Sequence, residues 1–319
     1  MLTYGIRINR RRPSVTSYGG LVPRKSRLKW GCMIGIVYNP KTNKGQSVER
    51  MKKIREDLDG RGVQYEYRET TYAGKAIELA RQLAETCDTV VAAGGDGTLY
   101  EVVNGTVDLD IKYGLLPFGS GNDTSRTLGL FGKTDKELVD VILGENYVDF
   151  DCEQFNDETI SLQFVAMGIV PEVLANFLKK KKSRGINYVL SLLGAIIKHK
   201  PKTYRISADG EEFEALADMI SVCNIQTAGG GLKICPEAST NDKALDLIMI
   251  KRTGRLRYYK NVVALARGKL MSQPNVIHKR VTEAMLIAGG VEYCVIDGEM
   301  FEFDKVKVSL YPKQIKIKC

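Results

Sequence analysis

A chain of 319 residues, 44% of them hydrophobic, is long enough for two domains of ordinary size and can fill a core in each. Its apolar runs all fall short of about 18 residues, which excludes a transmembrane helix. Of the formal net charge of +9, Arg7, Arg10, Arg11, Arg12, Arg24, Lys25, Arg27 and Lys29 supply +8, which leaves an almost neutral body and excludes a basic nucleic-acid-binding one.

Residues 1–32 show neither helical nor strand periodicity and no secretory apolar core. They read as a disordered basic tail, a transit-like segment, or sequence preceding a start at Met33. From Met33 the pattern alternates. Met33–Tyr38 is a short apolar strand that ends in the Asn39-Pro40 turn. Val48, Met51, Ile54 and Leu58 have helical spacing. Val63–Arg68 alternates as a strand, Ala76–Ala84 is helical, Val90–Ala93 is a buried strand, Leu99–Val107 a helix and Tyr113–Phe118 a strand. Thr134 and Glu137 form a capping box that opens a helix over Leu138–Leu143. Such βα units in succession predict a parallel sheet with helices on both faces and ligands beyond the carboxyl ends of its strands.

After residue 147 strands dominate: Ile160–Met167, Tyr204–Ala208, Phe213–Ala217, Met219–Cys223, Leu245–Ile250, Glu283–Ile287, Glu292–Ile296 and Val306–Leu310. Asp209-Gly210 suits a type I′ hairpin turn. The expected division is an extension over 1–32, an α/β domain over 33–147 and an antiparallel β-rich domain over 148–319, whose last strands can return to the first domain. A helical insertion over 172–200 carries Lys179, Lys180, Lys181, Lys182 and Arg184, an apolar stretch Ile186–Ile197, and Lys198 and Lys200. It fits either a buried helix with solvated lysines or contact with an anionic lipid surface. The seven cysteines are scattered, with no C-x-x-C pair, as reduced buried thiols of a cytosolic protein would be. With His199 and His278 as the only histidines, a histidine-based zinc site and a Ser-His-Asp triad are both disfavoured, and each histidine reads as structural.

The chemistry concentrates in Gly94-Gly95-Asp96-Gly97-Thr98-Leu99-Tyr100-Glu101, directly after the Val90–Ala93 strand. Glycines let backbone amides approach a ligand, and a helix start adds unpaired N–H groups, which together suit a phosphate. Asp96 would repel a polyphosphate unless Mg²⁺ bridges the two. Thr98 and Glu101 also form a T-x-x-E capping box, which would explain both as helix structure. Asn39–Gly45 and Pro117–Asp123 follow neighbouring strands as polar or small-residue loops, and Asp297-Gly298-Glu299 sets two acids around a glycine.

Together, GGDGTLYEVVNG over Gly94–Gly105, the Gly119–Asp123 loop and the late Asp297–Glu299 triplet resemble the diacylglycerol kinase catalytic-domain family, specifically its soluble bacterial lipid kinases. The resemblance runs from Met33 nearly to the C-terminus. It implies a parallel-sheet α/β nucleotide domain and an antiparallel β-sandwich domain, with ATP in the cleft between them. Asn39, Pro40, Lys41, Thr42, Asn43, Thr70, Gly95, Asp96, Gly97, Thr98, Leu99, Tyr100, Glu101 and Ser120 match the family's nucleotide-contact positions. Asp96 matches the acid tied to the catalytic Mg²⁺, Lys44 and Asp149 a charged network supporting that acid, and Glu299 the general base. Ser239, Asp242 and Ala244 match a structural metal loop, although Lys243 follows Asp242 where the family has glycine. Tyr100 stands where the family has asparagine.

The implied reaction is Mg²⁺-dependent transfer of the ATP γ-phosphate to a lipid hydroxyl, with diacylglycerol giving phosphatidic acid as the leading reading. The alternatives are another lipid (sphingoid, ceramide or polyprenol), a soluble substrate such as NAD, and a nucleotide- or lipid-binding regulator without catalysis. The implied partners are ATP, the lipid and an anionic membrane surface, with no nucleic acid and a homodimer left open. The implied location is cytoplasmic, peripheral at the membrane surface.

Overall fold

A computed structural model describes residues 33–179, 194–195 and 199–319. The expectations for 1–32 and for most of the lysine-flanked insertion therefore lie outside the described residues. The described chain falls into two compact units, residues 33–150 with Lys313–Cys319, and Asp151–Pro312.

The first unit contains β1 (Ile34–Tyr38), α1 (Ser47–Gly60), β2 (Tyr65–Glu69), α2 (Lys75–Leu83), β3 (Thr89–Gly94), α3 (Asp96–Thr106), β4 (Lys112–Pro117), α4 (Asp123–Thr127), α5 (Asp135–Leu143) and β5 (Tyr147–Phe150). Its sheet runs β2-β1-β3-β4, then the far C-terminal strand Ile315–Lys318 (β17), then β5. All of these pairings are parallel except β5 with β17. β1 and β3 are buried along their whole length because the sheet flanks them and helices cover them, so their sequences read as unbroken small or β-branched apolar runs. α1 packs beside α5, and α2 beside α3.

The buried stripe of α1 is Ser47, Met51, Ile54 and Leu58, while Val48, expected in it, is 53% exposed. Ser47 takes its place because its hydroxyl meets the buried Tyr38 hydroxyl at 2.9 Å. The Thr134–Glu137 capping box is present at the start of α5. Gly105 lets α3 approach α2, since a Cβ there would lie 2.4 Å from the Ile77 carbonyl oxygen.

The second unit holds β6 (Glu153–Phe155), β7 (Thr159–Ser161), β8 (Phe164–Gly168), α6 (Ile169–Lys179), β9 (Lys202–Ala208), β10 (Glu211–Cys223), β11 (Thr227–Ala228), β12 (Leu232–Lys233), β13 (Leu245–Lys251), α7 (Arg255–Ala266), β14 (Val276–Val281), β15 (Glu283–Ile296) and β16 (Glu299–Leu310). Its large sheet is antiparallel throughout and runs β14-β13-β10-β8-β15-β16-β6-β7, with β9 bridging β10 and β15. The expected sandwich is thus not two separately hydrogen-bonded sheets. The long strands β10 and β15 tie the sheet together, each pairing with three other strands. β10 pairs with β9 along its first half and with β8 along its second.

Both long strands were expected as pairs of short ones. Asp218 interrupts the apolar pattern of β10, but it is an irregularity within the strand, fully buried against Arg252 at 2.9 Å. In β15 the register shifts between Ile287 and Glu292, where Gly289 adopts φ +72. α6 and α7 pack on a core that includes Phe164, Ile169, Met219, Ile248, Tyr258, Val262 and Val295.

Candidate active site

The Gly94–Thr98 turn lies at the carboxyl end of β3, where parallel sheets place their ligand loops. A Cβ on Gly94 would stand 2.3 Å from Thr98 Oγ1, and one on Gly119 would stand 2.6 Å from the Gly95 Cα. The Phe118 and Gly119 amides both donate to the Gly94 carbonyl, at 2.8 and 3.2 Å. The two glycine loops are therefore one packed structure, and side chains are excluded where they touch. Gly97 differs: a Cβ there would meet nothing within 4 Å, and the residue is exposed. Gly95 is the N-cap of α3 and has no side chain to cover the first turn, so the positive helix end faces this open space.

Asp96, half-buried, turns its carboxylate to the start of α4. Oδ2 accepts from the Asp123 amide and Oδ1 from the Thr124 amide, both at 3.2 Å. Asn122, in the left-handed region at φ 53, makes the turn into α4, and its Nδ2 donates to the Gly119 carbonyl at 2.7 Å. A carboxylate oxygen is the type of ligand that Mg²⁺ takes, so Asp96 is the residue here that could hold one.

The loop after β1 joins the same end of the sheet. The Asn39 amide donates to the Ala93 carbonyl at 3.0 Å, and its Nδ2 reaches Thr98 Oγ1 at 3.5 Å. Its Oδ1 accepts from the Lys41 amide at 3.1 Å, and Lys41 Nζ donates to the Thr71 carbonyl at 2.9 Å. Thr42 and Asn43 continue the turn, with Asn43 left-handed at φ 49. Pro40 is half-buried and Ser120 exposed. Thr70 is buried, its amide donating to the Tyr38 carbonyl at 2.8 Å.

Two expectations are corrected here, for the Thr98–Glu101 capping box and for Asp149. Thr98 and Glu101 form no capping box on α3, which has no side-chain cap. Glu101 instead accepts from the Gly74 and Ala76 amides at 2.8 and 3.1 Å and caps α2. Leu99 and Tyr100 are buried, so their nearness to the loop lies in their backbone. Asp149 sits on β5 opposite Lys316, which pairs with Lys112, which pairs with Thr89. That register sets Asp149 at the amino end of the parallel strands, about 17 Å along the strand direction from Gly94. The structure therefore does not join it to Asp96. Lys44 lies in the 3-10 turn Thr42–Gly45, and its side chain is outside the described residues.

In the second unit Asp297 and Gly298, at φ 46 and 87, form the two-residue turn between β15 and β16, and Glu299 opens β16 as an exposed residue. The turn is anchored from within. The buried Asp297 carboxylate accepts from the amides of Leu162 (2.7 Å), Gln163 (2.9 Å) and Phe164 (3.2 Å), and lies 2.8 Å from Ser161 Oγ. This inward turn of amides splits the strand expected over Ile160–Met167 into β7 and β8. Burial outweighs the donors and pushes the Asp297 carboxyl up to about 6. Ser161 Oγ also lies 2.6 Å from Glu153 Oε2, whose pKa burial raises well above the carboxylate range. One hydroxyl proton cannot serve both acids. A protonated Glu153 donates to Ser161, which donates to an ionised Asp297.

Residues 33–154 match the diacylglycerol kinase catalytic domain, and residues 166–319 match the YegS C-terminal NAD kinase beta sandwich-like domain. The chain belongs to the diacylglycerol kinase family. The kinase is 25% identical over 269 residues to diacylglycerol kinase of Bacillus subtilis, covering 83% of this chain and 88% of that one. It is 28% identical over 237 residues to diacylglycerol kinase of Mycobacterium tuberculosis, covering 70% and 76%. In fold it resembles a diacylglycerol kinase crystal structure from Bacillus anthracis, with TM-score 0.71 at 21% identity over 92% of this chain and 98% of that one.

The structural-metal loop of the resemblance does not fit a cation in this kinase. Arg280 takes the Asp242 carboxylate, whose other oxygen accepts from the Ala244 amide at 3.3 Å, and Ser239 Oγ turns to Asn241. Lys243 adopts φ 57, the position a glycine would fill, and its amide donates to Asp151 at 2.8 Å. Asp123 and Thr124, whose amides hold Asp96, were missed as site residues. Their signal was the helix start that Asn122 and Asp123 announce after a glycine loop.

Proposed function

We propose that this kinase transfers the γ-phosphate of ATP to a lipid hydroxyl, with diacylglycerol as acceptor and phosphatidic acid as product. One observation carries the reading: two glycine loops packed together at the head of α3, with open space over Gly97 and the Asp96 carboxylate beside it. Backbone amides of the first turn of α3 hold phosphate oxygens, and Asp96, fixed by the Asp123 and Thr124 amides, would hold Mg²⁺. The ion, when bound, neutralises charge on the transferring phosphoryl group. Asn39 ties the β1 loop to Thr98 and keeps the donor site shaped. Glu299 accepts the proton of the attacking hydroxyl, a contribution of about 10²–10⁴-fold. Its backbone is fixed by the buried Asp297 turn beside it.

A lipid acceptor requires a bilayer surface, and α7 supports one. Leu256, Tyr259 and Val263 stand 73, 40 and 49% exposed along one face, among the exposed Arg257, Lys260, Arg267 and Lys269. An apolar stripe edged by cations suits an anionic membrane, on which a cytoplasmic enzyme would sit peripherally. No helix among the described residues is long and apolar enough to cross it.

The test is labelled ATP with Mg²⁺ and mixed micelles of diacylglycerol, ceramide, sphingoid base or polyprenol. Label is expected in diacylglycerol, with at least a 100-fold loss in Asp96→Asn and in Glu299→Gln while circular dichroism is unchanged. Label in NAD without lipid, or in no acceptor, overturns the reading. Leu256→Asp with Val263→Asp is expected to reduce sedimentation with anionic vesicles, and unchanged sedimentation removes α7 from the membrane contact.

A further inference from the structure

The second unit brings together a thiol, a carboxylate and an imidazole that are distant in sequence. Cys235 follows β12, Asp246 lies on β13 and His278 on β14, the edge strand of the large sheet. In the β13–β14 ladder Asp246 faces Arg280 and Ile248 faces His278, so Asp246 and His278 are diagonal neighbours on one face. Cys235 is brought over this face by the turn that closes with its amide on the Gln226 carbonyl at 3.2 Å and the Ala238 amide on its own carbonyl at 3.1 Å. One ligand atom from each of the three side chains lies within 4.8 Å of the others. Cys235 and Asp246 are buried and His278 is half-buried, so the imidazole is the ligand most exposed to solvent.

We propose that Cys235, Asp246 and His278 bind a zinc ion that fastens the 235–246 loop to the edge of the sheet. The details around the cluster agree with a metal site. Asp246 Oδ1 lies 2.5 Å from His278 Nε2, and Glu237 Oε2 lies 3.4 Å from Nδ1 on the other side of the ring. A carboxylate near Nδ1 favours the tautomer that presents Nε2 as the ligand, the arrangement common around metal-bound imidazole. The Glu237 and Ala238 amides donate to Cys235 Sγ and so favour its thiolate. A thiol binds metal as its thiolate, so metal capture releases the Cys235 proton to solvent.

The donor set of sulfur, imidazole nitrogen and one carboxylate oxygen selects a borderline-soft ion over Mg²⁺ or Ca²⁺. Zn–N and Zn–O bonds of about 2.0–2.1 Å at a tetrahedral angle put the two ligand atoms about 3.3 Å apart. Binding therefore opens the Asp246–His278 hydrogen bond by less than about 1 Å, within reach of a side-chain rotation at the half-buried histidine. Water on the solvent side completes four-coordination. The three ligands all belong to the second unit, and the proposed transfer uses none of them.

The test uses untagged full-length protein stripped with chelator and titrated with Co²⁺ as a spectroscopic stand-in. The expected result is one ion per chain, with a thiolate-to-cobalt charge-transfer band and tetrahedral d–d bands that Zn²⁺ abolishes by displacement. Cys235→Ser should lose the charge-transfer band, and His278→Gln should weaken binding at least 10-fold. Cys294→Ser, a buried cysteine on β15, should keep both. Zn²⁺ should raise the melting temperature of the wild type and of Cys294→Ser but not of the two ligand variants. A folded wild type without the charge-transfer band, or a band that survives in folded Cys235→Ser, overturns the proposal. If Cys235→Ser does not fold, the wild-type spectrum and His278→Gln decide, and undiminished cobalt affinity in His278→Gln overturns it.

Discussion

Alanine at position 97 separates what the glycine loop does for the fold from what it does for a nucleotide. Gly97 sits in the first turn of α3, its φ is not in the left-handed region, and a Cβ there meets nothing within 4 Å. Gly→Ala at a compatible position stabilises by about 0.4–1 kcal/mol, through lower unfolded-state entropy and better helix propensity. For a chain of this size the melting temperature should hold or rise by about 1–3 °C. A phosphate needs the same space. A methyl group over the loop blocks one charge-assisted N–H···O bond, worth about 1.5–3 kcal/mol, or roughly 10–100-fold in Kd for Mg-ATP. Gly94→Ala is the contrasting case: its Cβ falls 2.3 Å from Thr98 Oγ1, so overpacking should cost about 1–3 kcal/mol of stability. Calorimetric titration with Mg-ATP beside a thermal melt reads both quantities. Wild-type ATP affinity in a Gly97→Ala protein that melts no lower than wild type would refute the assignment of the open space to phosphate.

Glu101→Ala should cost about 0.5–2 kcal/mol by uncapping α2 and leave ATP affinity within a few-fold, as urea unfolding and the same titration would measure. Asp149→Asn should leave kcat unchanged in the lipid assay, since the sheet register sets it at the far end from Asp96. Asp297 makes stability depend on pH with a defined sign. Its folded pKa, about 6, lies above the ordinary 3.8, so the stabilisation is full below about pH 4 and is lost as pH rises through 6. The span is roughly 3 kcal/mol at 1.36 kcal/mol per unit. Urea midpoints between pH 4 and 7 should fall less steeply in Asp297→Asn than in the wild type, and identical slopes would exclude the titration.

The α/β unit was legible because its elements carry full periods. β3 is an unbroken buried run, and the stripe Met51, Ile54, Leu58 marks α1. β5 and β17 were missed because four residues of mixed polarity, such as Ile315-Lys316-Ile317-Lys318, carry no period of their own and gain strand character only from their partners. The long strands β10 and β15 were broken in the sequence reading at Asp218 and at Gly289-Gly290, because a bulge and a turn share the same local composition. At the site the glycines were readable as a group, but their separate duties were not. Whether a glycine meets Thr98, another glycine or open space depends on contacts across the fold. Glu101 shows the same limit: its capping signal was real, yet the helix it caps lies 25 residues earlier in the chain. The Cys235, Asp246 and His278 cluster had no spacing signature, since a strand diagonal and a loop assemble it.

The position of β17 has a consequence for how the molecule is made. A strand from the far end of the chain lies between β4 and β5, so the sheet that carries the glycine loops is interrupted until Ile315–Lys318 have been synthesised. The second unit is in effect an insertion within the first. During translation it can collapse on its own while the earlier strands wait, with the edge of β4 open to mispairing. The glycine loops emerge from the ribosome ahead of the whole second unit, and the sheet beneath them closes only after that unit has been made. A ribosome stalled just short of Ile315 would thus display a second unit able to resist protease beside a first unit still open to it.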